Sequence, residues 1–144
     1  VLYERGPLGK DGQKRLAQDF KNACGASGAS VVYDPVGGEY AEPALRAIAW
    51  EGRYLVVGFP AGIPALPLNL ALLKSCDIRG VFWGAAIERD PVRHAEAVGE
   101  LLALYAAGKI KPSIYRSFTL DRVADALKLL ASRQVMGKVV VTIP

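Results

Sequence analysis

The sequence contains few of the residues that build metal sites and disulfide frameworks. Its 144 residues include two cysteines and one histidine. Cys24 and Cys76 lie far apart and neither belongs to a C-x-x-C pair, which argues against both a disulfide framework and a zinc finger. We therefore expect two free, buried thiols in a reducing compartment, a cytoplasmic location and no metal site. We expect His94 on the polar, solvent-facing side of its helix.

Long apolar runs and blocks of basic charge are also missing. No segment approaches the roughly 18 consecutive apolar residues of a membrane-spanning helix, and no basic stretch leads into an apolar one as in a secretion signal. The 18 basic and 14 acidic residues, with a net charge of +4, are spread along the chain. We expect neither a membrane nor a nucleic acid as partner. Apolar residues make up 51% of the chain, which suffices for a folded domain with a core.

The first half of the chain alternates helix-like and strand-like segments. Helical spacing predicts a helix over residues 11–24, stopped by Gly25, and a second helix with an apolar stripe of Ala41, Ala44, Leu45, Ile48 and Ala49, broken at Gly52. The segment NLALLKSC predicts a short third helix. Continuous apolar and β-branched runs predict three buried strands, in ASVVYD, RYLVVGF and DIRGVFWG.

The second half continues the alternation. Asp90 and Pro91 predict a helix start, followed by an apolar stripe to about Gly108. SIYRSFTL and GKVVVTI predict strands on either side of a helix from Asp121 to Ala131, with Val123, Ala124, Leu127 and Leu130 facing inward. Such alternation predicts β-α-β units with a parallel sheet, and whether the last two strands join the same sheet stays open.

Glycines follow the predicted strands in the first half. They are Gly37 and Gly38 in VVYDPVGG, Gly58 in RYLVVGF, and Gly84 in DIRGVFWG. Ligands of open α/β sheets bind beyond the carboxyl ends of the strands, where glycine lets the backbone approach closely. The repetition favours a nucleotide site, although glycines that serve only tight turns remain the alternative. The phosphate-binding fingerprint G-x-G-x-x-G does not occur after a strand, so a dinucleotide-binding fold would lack its first half here.

Five segments occur in a specific order: VVYDPVGG, GRYLVVGFPAG, IRGVFWG, PVRHAEAVGELLALYAAGKIKP and SFTLDRVADALKLLASRQVMGKVVV. In that order they resemble the C-terminal half of a medium-chain dehydrogenase/reductase, and most of all the zinc-independent quinone oxidoreductases related to zeta-crystallin. The resemblance implies an α/β fold in which residues 1–109 form part of a Rossmann-like, doubly wound cofactor domain. Residues 110–144 would return to a catalytic domain. Since the family's N-terminal domain, first two cofactor strands and glycine-rich phosphate loop have no counterpart in this sequence, we expect a partial polypeptide or the ordered part of one.

The resemblance also implies which residues border a cofactor. Pro35, Val36 and Gly37 would border the riboses, and Val57, Gly58 and Phe59 the nicotinamide side. Backbone groups of Val81 and Trp83 would hold the carboxamide with Phe82 nearby, Lys138 would approach the pyrophosphate, and Tyr3 the 2′-phosphate. The aromatic residues could instead belong to the core or to an interface, Lys138 could be a solvated lysine at a strand end, and Tyr3 could be a loose terminal residue.

The implied activity is hydride transfer from NADPH, in preference to NADH, to a quinone or an α,β-unsaturated carbonyl as small-molecule substrate. We assign no catalytic residue in this half and expect the fragment to be inactive alone. The resemblance further implies a homodimer through the edge strand 77–83. Two alternatives stay open: a fragment of an enoyl reductase or zinc-type alcohol dehydrogenase, and a non-catalytic dimerising α/β module.

Overall fold

The structure, a computed structural model, describes residues 7–143. The chain divides into two compact units, the first ending at Arg89 and the second beginning at Asp90. The predicted domain boundary between residues 109 and 110 stays a prediction. Tyr3 lies outside the described residues.

The described residues form an α/β structure with six α-helices and five strands. The helices are α1 (Gly9–Cys24), α2 (Ala41–Arg46), α3 (Asn69–Lys74), α4 (Trp83–Arg89), α5 (Pro91–Ala106) and α6 (Val123–Ala131). The strands are β1 (Ala29–Asp34), β2 (Ile48–Val56), β3 (Asp77–Gly80), β4 (Ile114–Thr119) and β5 (Lys138–Thr142). Short 3-10 turns at Gly38–Tyr40 and Leu120–Arg122 precede α2 and α6.

The first unit is built on a three-stranded parallel sheet in the order β1-β2-β3. Helices α2 and α3 connect its successive strands, as the predicted β-α-β units require. The core of this unit lies where α2 meets β2, because its buried residues come from α2, β2 and α3: Ala41, Leu45, Ile48, Tyr54 and Leu70. The prediction of a parallel α/β sheet is confirmed.

The boundary between the second helix and the second strand differs from the prediction. Helix α2 ends at Arg46, and Ile48 is the first residue of β2, paired with Ala29 of β1. Gly52 does not stop a helix. It lies inside β2, where a Cβ atom would lie 2.7 Å from the Ile48 Cγ1 and 3.1 Å from the Ala29 carbonyl oxygen. Close packing of the sheet therefore explains this glycine.

The third predicted strand is shorter than expected. Strand β3 ends at Gly80, which pairs with Val56, the last residue of β2. Beyond that point the neighbouring strand offers no further pairing, so the chain turns away and Trp83 begins α4. The prediction that Gly84 ends a strand is therefore wrong, because Gly84 lies in a helix.

The second unit contains the parallel pair β4-β5, which is a separate two-stranded sheet. Asp90 caps α5 as predicted, since its carboxylate accepts a hydrogen bond from the Arg93 amide at 3.0 Å and Pro91 follows it. The inward packing predicted for α6 is wrong, because Val123, Ala124, Leu127 and Leu130 are all exposed. The buried residues here are Ala126 of α6 and Phe118 of β4. Two strands offer too little surface to cover the whole apolar stripe.

Two further expectations concern exposure and length. The Cys24 thiol is exposed and Cys76 is half-buried, so the expectation of two buried thiols is wrong for Cys24. It lies at the solvent-facing C-terminal end of α1. Among residues 7–143 we find no helix with the length and apolar character needed to cross a membrane.

Candidate functional site

The carboxyl ends of β1 and β2 form the candidate site. Because the two strands are parallel neighbours, the loops that follow them, residues 35–38 and 57–62, meet at one edge of the sheet. The Asp34 carbonyl oxygen at the end of β1 accepts hydrogen bonds from the amides of Val57 and Gly58 at 2.9 and 3.3 Å. Ala61 then donates to the Val36 carbonyl at 3.0 Å. The predicted site residues 35–37 and 57–59 are thus brought together.

The glycine pair after β1 is explained by contact with the second loop. Gly37 and Gly38 both have positive φ angles, 70° and 57°, which favour glycine. A Cβ on Gly37 would lie 2.7 Å from the Gly62 carbonyl oxygen, and a Cβ on Gly38 would clash with the Ala61 carbonyl oxygen. Of the two explanations left open by the sequence, tight packing of the protein suffices. The result is a close backbone contact between the two loops.

The Asp34 side chain organises the turn that contains the first of these glycines. Its Oδ1 atom accepts hydrogen bonds from the amides of Val36 and Gly37, both at 2.9 Å. Its Oδ2 atom accepts a hydrogen bond from the Tyr54 hydroxyl at 2.5 Å. Asp34 is 8% exposed and Tyr54 is completely buried. The carboxylate therefore joins the end of β1, the following turn and the middle of β2.

The environment of Tyr54 strongly disfavours its ionised form. Burial raises the pKa of the Tyr54 phenol well above its ordinary value, and the hydrogen bond to Asp34 and the negative charge of that residue raise it further. The phenol consequently stays protonated and acts as a donor. Sequence reasoning assigned no role to either residue. The available signal was a tyrosine at the start of the apolar run YLVV, which is predicted to be buried, since a buried tyrosine hydroxyl needs a partner.

Seven amide groups of the two loops bond within the chain. They donate to the Asp34 carboxylate and to the carbonyl oxygens of Asp34, Val36, Phe59 and Gly62. The seven donors are the amides of Val36, Gly37, Gly38, Val57, Gly58, Ala61 and Gly62. Because these seven amides are engaged, they do not form a phosphate-binding nest.

Exposed aromatic side chains follow the ends of the neighbouring strands β2 and β3. Phe59 is 44% exposed, Phe82 is 80% exposed and Trp83 is 56% exposed. These rings therefore do not belong to the core of the described chain, whereas a place in an interface, the other alternative, stays open. The amide of Val81 donates to the Val56 carbonyl at 2.8 Å, which fixes the start of this segment beside β2. The edge of the sheet thus combines two closely packed loops with accessible rings.

Lys138, the other predicted site residue in the described part of the chain, belongs to the second unit. It is exposed at the start of β5, where its amide donates to the Ser113 carbonyl at 2.8 Å. His94, which we expected as a surface residue, is half-buried in α5. Among residues 7–143 we find no group of three or more His, Cys, Asp or Glu side chains that could hold a metal ion.

Comparison with known proteins identifies the relatives of this chain. It is 37% identical over 131 residues to quinone oxidoreductase-like protein 2 homolog of Nematostella vectensis, which covers 90% of the chain. It is 35% identical over 144 residues to quinone oxidoreductase-like protein 2 of Rattus norvegicus, which covers 99% of the chain. The chain spans 36% and 39% of the lengths of these two relatives.

A solved structure has a fold similar to that of this chain. A mycobacterial protein determined in complex with NADPH has a TM-score of 0.74 and 19% sequence identity, covering 98% of this chain and 42% of its own. The fold is therefore partially Rossmann-like, as expected. The family model described as zinc-binding dehydrogenase matches residues 13–141. The chain thus belongs to the zinc-binding dehydrogenase family, within the medium-chain dehydrogenase/reductases.

Proposed function

We propose that this chain supplies one wall of the cofactor cleft of an NADPH-dependent oxidoreductase that reduces a quinone or an α,β-unsaturated carbonyl. The observation that supports this most is the meeting of two tightly bonded loops, 35–38 and 57–62, at the carboxyl edge of a parallel sheet. That edge is where open α/β sheets bind ligands. Because the chain belongs to a dehydrogenase family, we propose a nicotinamide cofactor as the ligand.

The residues present fit the nicotinamide and ribose part of such a cofactor. Gly37 leaves no room for a Cβ beside the Gly62 carbonyl, and this close contact holds the two loops together at the edge of the sheet where open α/β sheets bind ligands. In this proposal Pro35, Val36 and Gly37 contact the riboses, and Val57, Gly58 and Phe59 contact the nicotinamide side. Backbone groups of Val81 and Trp83 hold the carboxamide.

The protein's part in the chemistry is orientation and exclusion of water. When bound, the cofactor supplies the hydride. Phe59 and Phe82 are exposed at the edge of the sheet, and their rings would cover a planar ligand and keep water from the reacting carbon. No side chain among the described residues is assigned as acid or base.

The phosphate groups of the cofactor fit this wall less well, because the amides of the two loops are already bonded. Lys138, which is exposed, is proposed to approach the pyrophosphate, and Tyr3 the 2′-phosphate. We expect the isolated chain to bind NADPH weakly and to catalyse no hydride transfer by itself, because the phosphate-binding fingerprint G-x-G-x-x-G does not follow a strand in this sequence.

Fluorescence of Trp83 tests the proposal. The second tryptophan, Trp50, is exposed on β2, so the Trp50→Phe variant makes Trp83 the only reporter. Titration with NADPH and with NADH should give saturable quenching, with half-saturation on the order of millimolar. The Trp83→Phe variant, which retains Trp50, corrects for light absorption by the cofactor. Quenching of the same size in both variants would refute binding at Trp83.

We also propose that β3 pairs with a second copy of the chain to form a homodimer through residues 77–83. Strand β3 lies at the edge of its sheet, and its four residues are exposed. Ile78 is 38% exposed although it is a large apolar residue of a strand. An apolar strand edge of this kind favours pairing with another strand.

A further inference from the structure

We propose that Asp34 and Tyr54 are a positioning pair that fixes the Val36–Gly37 turn against the cofactor. The inference rests on the proposed function for the identity of the ligand that the turn faces. Neither side chain is assigned to touch the cofactor. Tyr54 acts through Asp34, and Asp34 acts through the two amides that it accepts.

The hydrogen bonds show how the pair can hold the turn. One carboxylate oxygen accepts both turn amides at 2.9 Å, and the other accepts the Tyr54 hydroxyl at 2.5 Å. Two bonds to one oxygen fix the direction of the backbone at Val36 and Gly37. The bond on the second oxygen fixes the rotation of the carboxylate about its own axis. Bonds to a charged acceptor are stronger than bonds between neutral groups.

Because both side chains are buried, breaking the hydrogen bond between them raises the free energy of the folded state. Asp34 is 8% exposed and Tyr54 is completely buried in the core of the first unit. A buried carboxylate needs hydrogen-bond donors on both oxygens. Loss of the Tyr54 hydroxyl would leave Oδ2 without this donor, so the carboxylate would rotate toward other donors or water and release the turn amides.

The position of the turn matters to the cleft because the fit of the second loop depends on it. Gly37 lies close to Gly62 and Phe59, since a Cβ on Gly37 would lie 2.7 Å from the Gly62 carbonyl oxygen and 3.0 Å from the Phe59 Cδ1. A shift of the turn would therefore displace the loop that carries Phe59. Through this contact the Tyr54 hydroxyl influences the positions of both predicted groups of cofactor contacts, residues 35–37 and 57–59.

Amide hydrogen exchange in the full 144-residue chain tests the pair. In Tyr54→Phe we expect exchange at Val36 and Gly37 to become about tenfold faster, the change expected for losing one bond to a charged group. Amides of the β1–β2 ladder, such as that of Leu55, should change much less. Tyr33→Phe is the matched control, because it removes the hydroxyl of an exposed tyrosine one residue before Asp34.

A second variant and a binding measurement complete the test. Asp34→Asn keeps the side-chain shape but removes the charge, and it should accelerate the same two amides. NADPH affinity, followed by Trp83 quenching, should fall several-fold in both variants and stay unchanged in Tyr33→Phe. Unchanged exchange at Val36 and Gly37, or equal acceleration of the β2 amides, would overturn the positioning role. So would faster exchange with unaltered NADPH affinity.

Failure of the proposed function has a different signature. If the unsubstituted chain shows no saturable binding of NADPH, the proposed cofactor site is refuted. The claim that the turn faces a cofactor then fails with it. Faster exchange confined to the Val36 and Gly37 amides in the variants would still show that Asp34 and Tyr54 hold the turn.

Discussion

The Tyr54 side chain is buried, and its hydroxyl donates a hydrogen bond to the Asp34 carboxylate. Burial first, and then the hydrogen bond and charge of Asp34, raise the pKa of Tyr54 above its ordinary value. An unfolded chain would ionise the same phenol near pH 10. Above that pH the unfolded state loses a proton that the folded state retains. The contribution of Tyr54 to the free energy of unfolding is therefore complete below about pH 10 and is lost as the pH rises further.

We therefore predict that the free energy of unfolding falls above pH 10 by up to about 1.4 kcal/mol per pH unit from Tyr54 alone. Urea unfolding between about pH 9 and about pH 11 measures the slope. The Tyr54→Phe variant should show a shallower slope, whereas Tyr33→Phe should keep the slope of the unsubstituted chain. Equal slopes in all three proteins would contradict the assignment.

The candidate site was predictable from the sequence at this scale only in part. Gly37 and Gly58 follow apolar strands, and parallel strands end at one edge, so their proximity was expected. The reason that position 37 needs a glycine could not be predicted, because it depends on a contact between Gly37 and Gly62 that only the folded backbone creates. The pairing of Asp34 with Tyr54 likewise joins residues 20 positions apart.

At the scale of elements, β1 was predicted at its observed bounds because ASVVYD is β-branched, apolar and followed by Pro and Gly. The border between α2 and β2 was not. Ala44, Leu45 and Ile48 satisfy helical spacing, and pairing of Ile48 with Ala29 decides the conformation. Tertiary pairing overrides local periodicity at such a border.

The edge of β3 supports a prediction about assembly. Replacing Ile78 by Asp places a charge on the exposed strand edge, which opposes pairing with a second copy. We expect light scattering to give a dimer mass for the unsubstituted chain and a monomer mass for Ile78→Asp. Ile63→Asp is the matched control, since Ile63 is exposed outside any strand or helix, and it should stay dimeric. A monomeric unsubstituted chain, or a dimeric Ile78→Asp, would contradict the interface.

At the scale of the whole molecule, much apolar surface is exposed for a chain of this composition. The stripe of α5 that periodicity predicts is exposed at Val92, Leu101, Leu102 and Tyr105. The two named relatives are more than twice as long, since the chain spans 36% and 39% of their lengths. The cofactor wall and the catalytic activity of the whole protein therefore both stay proposals for this chain.

The central claim is that the loops at the carboxyl edge of the first sheet face the nicotinamide half of the cofactor. Titration of Trp50→Phe with reduced nicotinamide mononucleotide, alongside NADPH, tests it most directly. We predict saturable quenching of Trp83 by both compounds, with dissociation constants within about tenfold of each other, because the loop amides are already bonded within the chain. Quenching by NADPH alone, or by neither compound, would contradict the account.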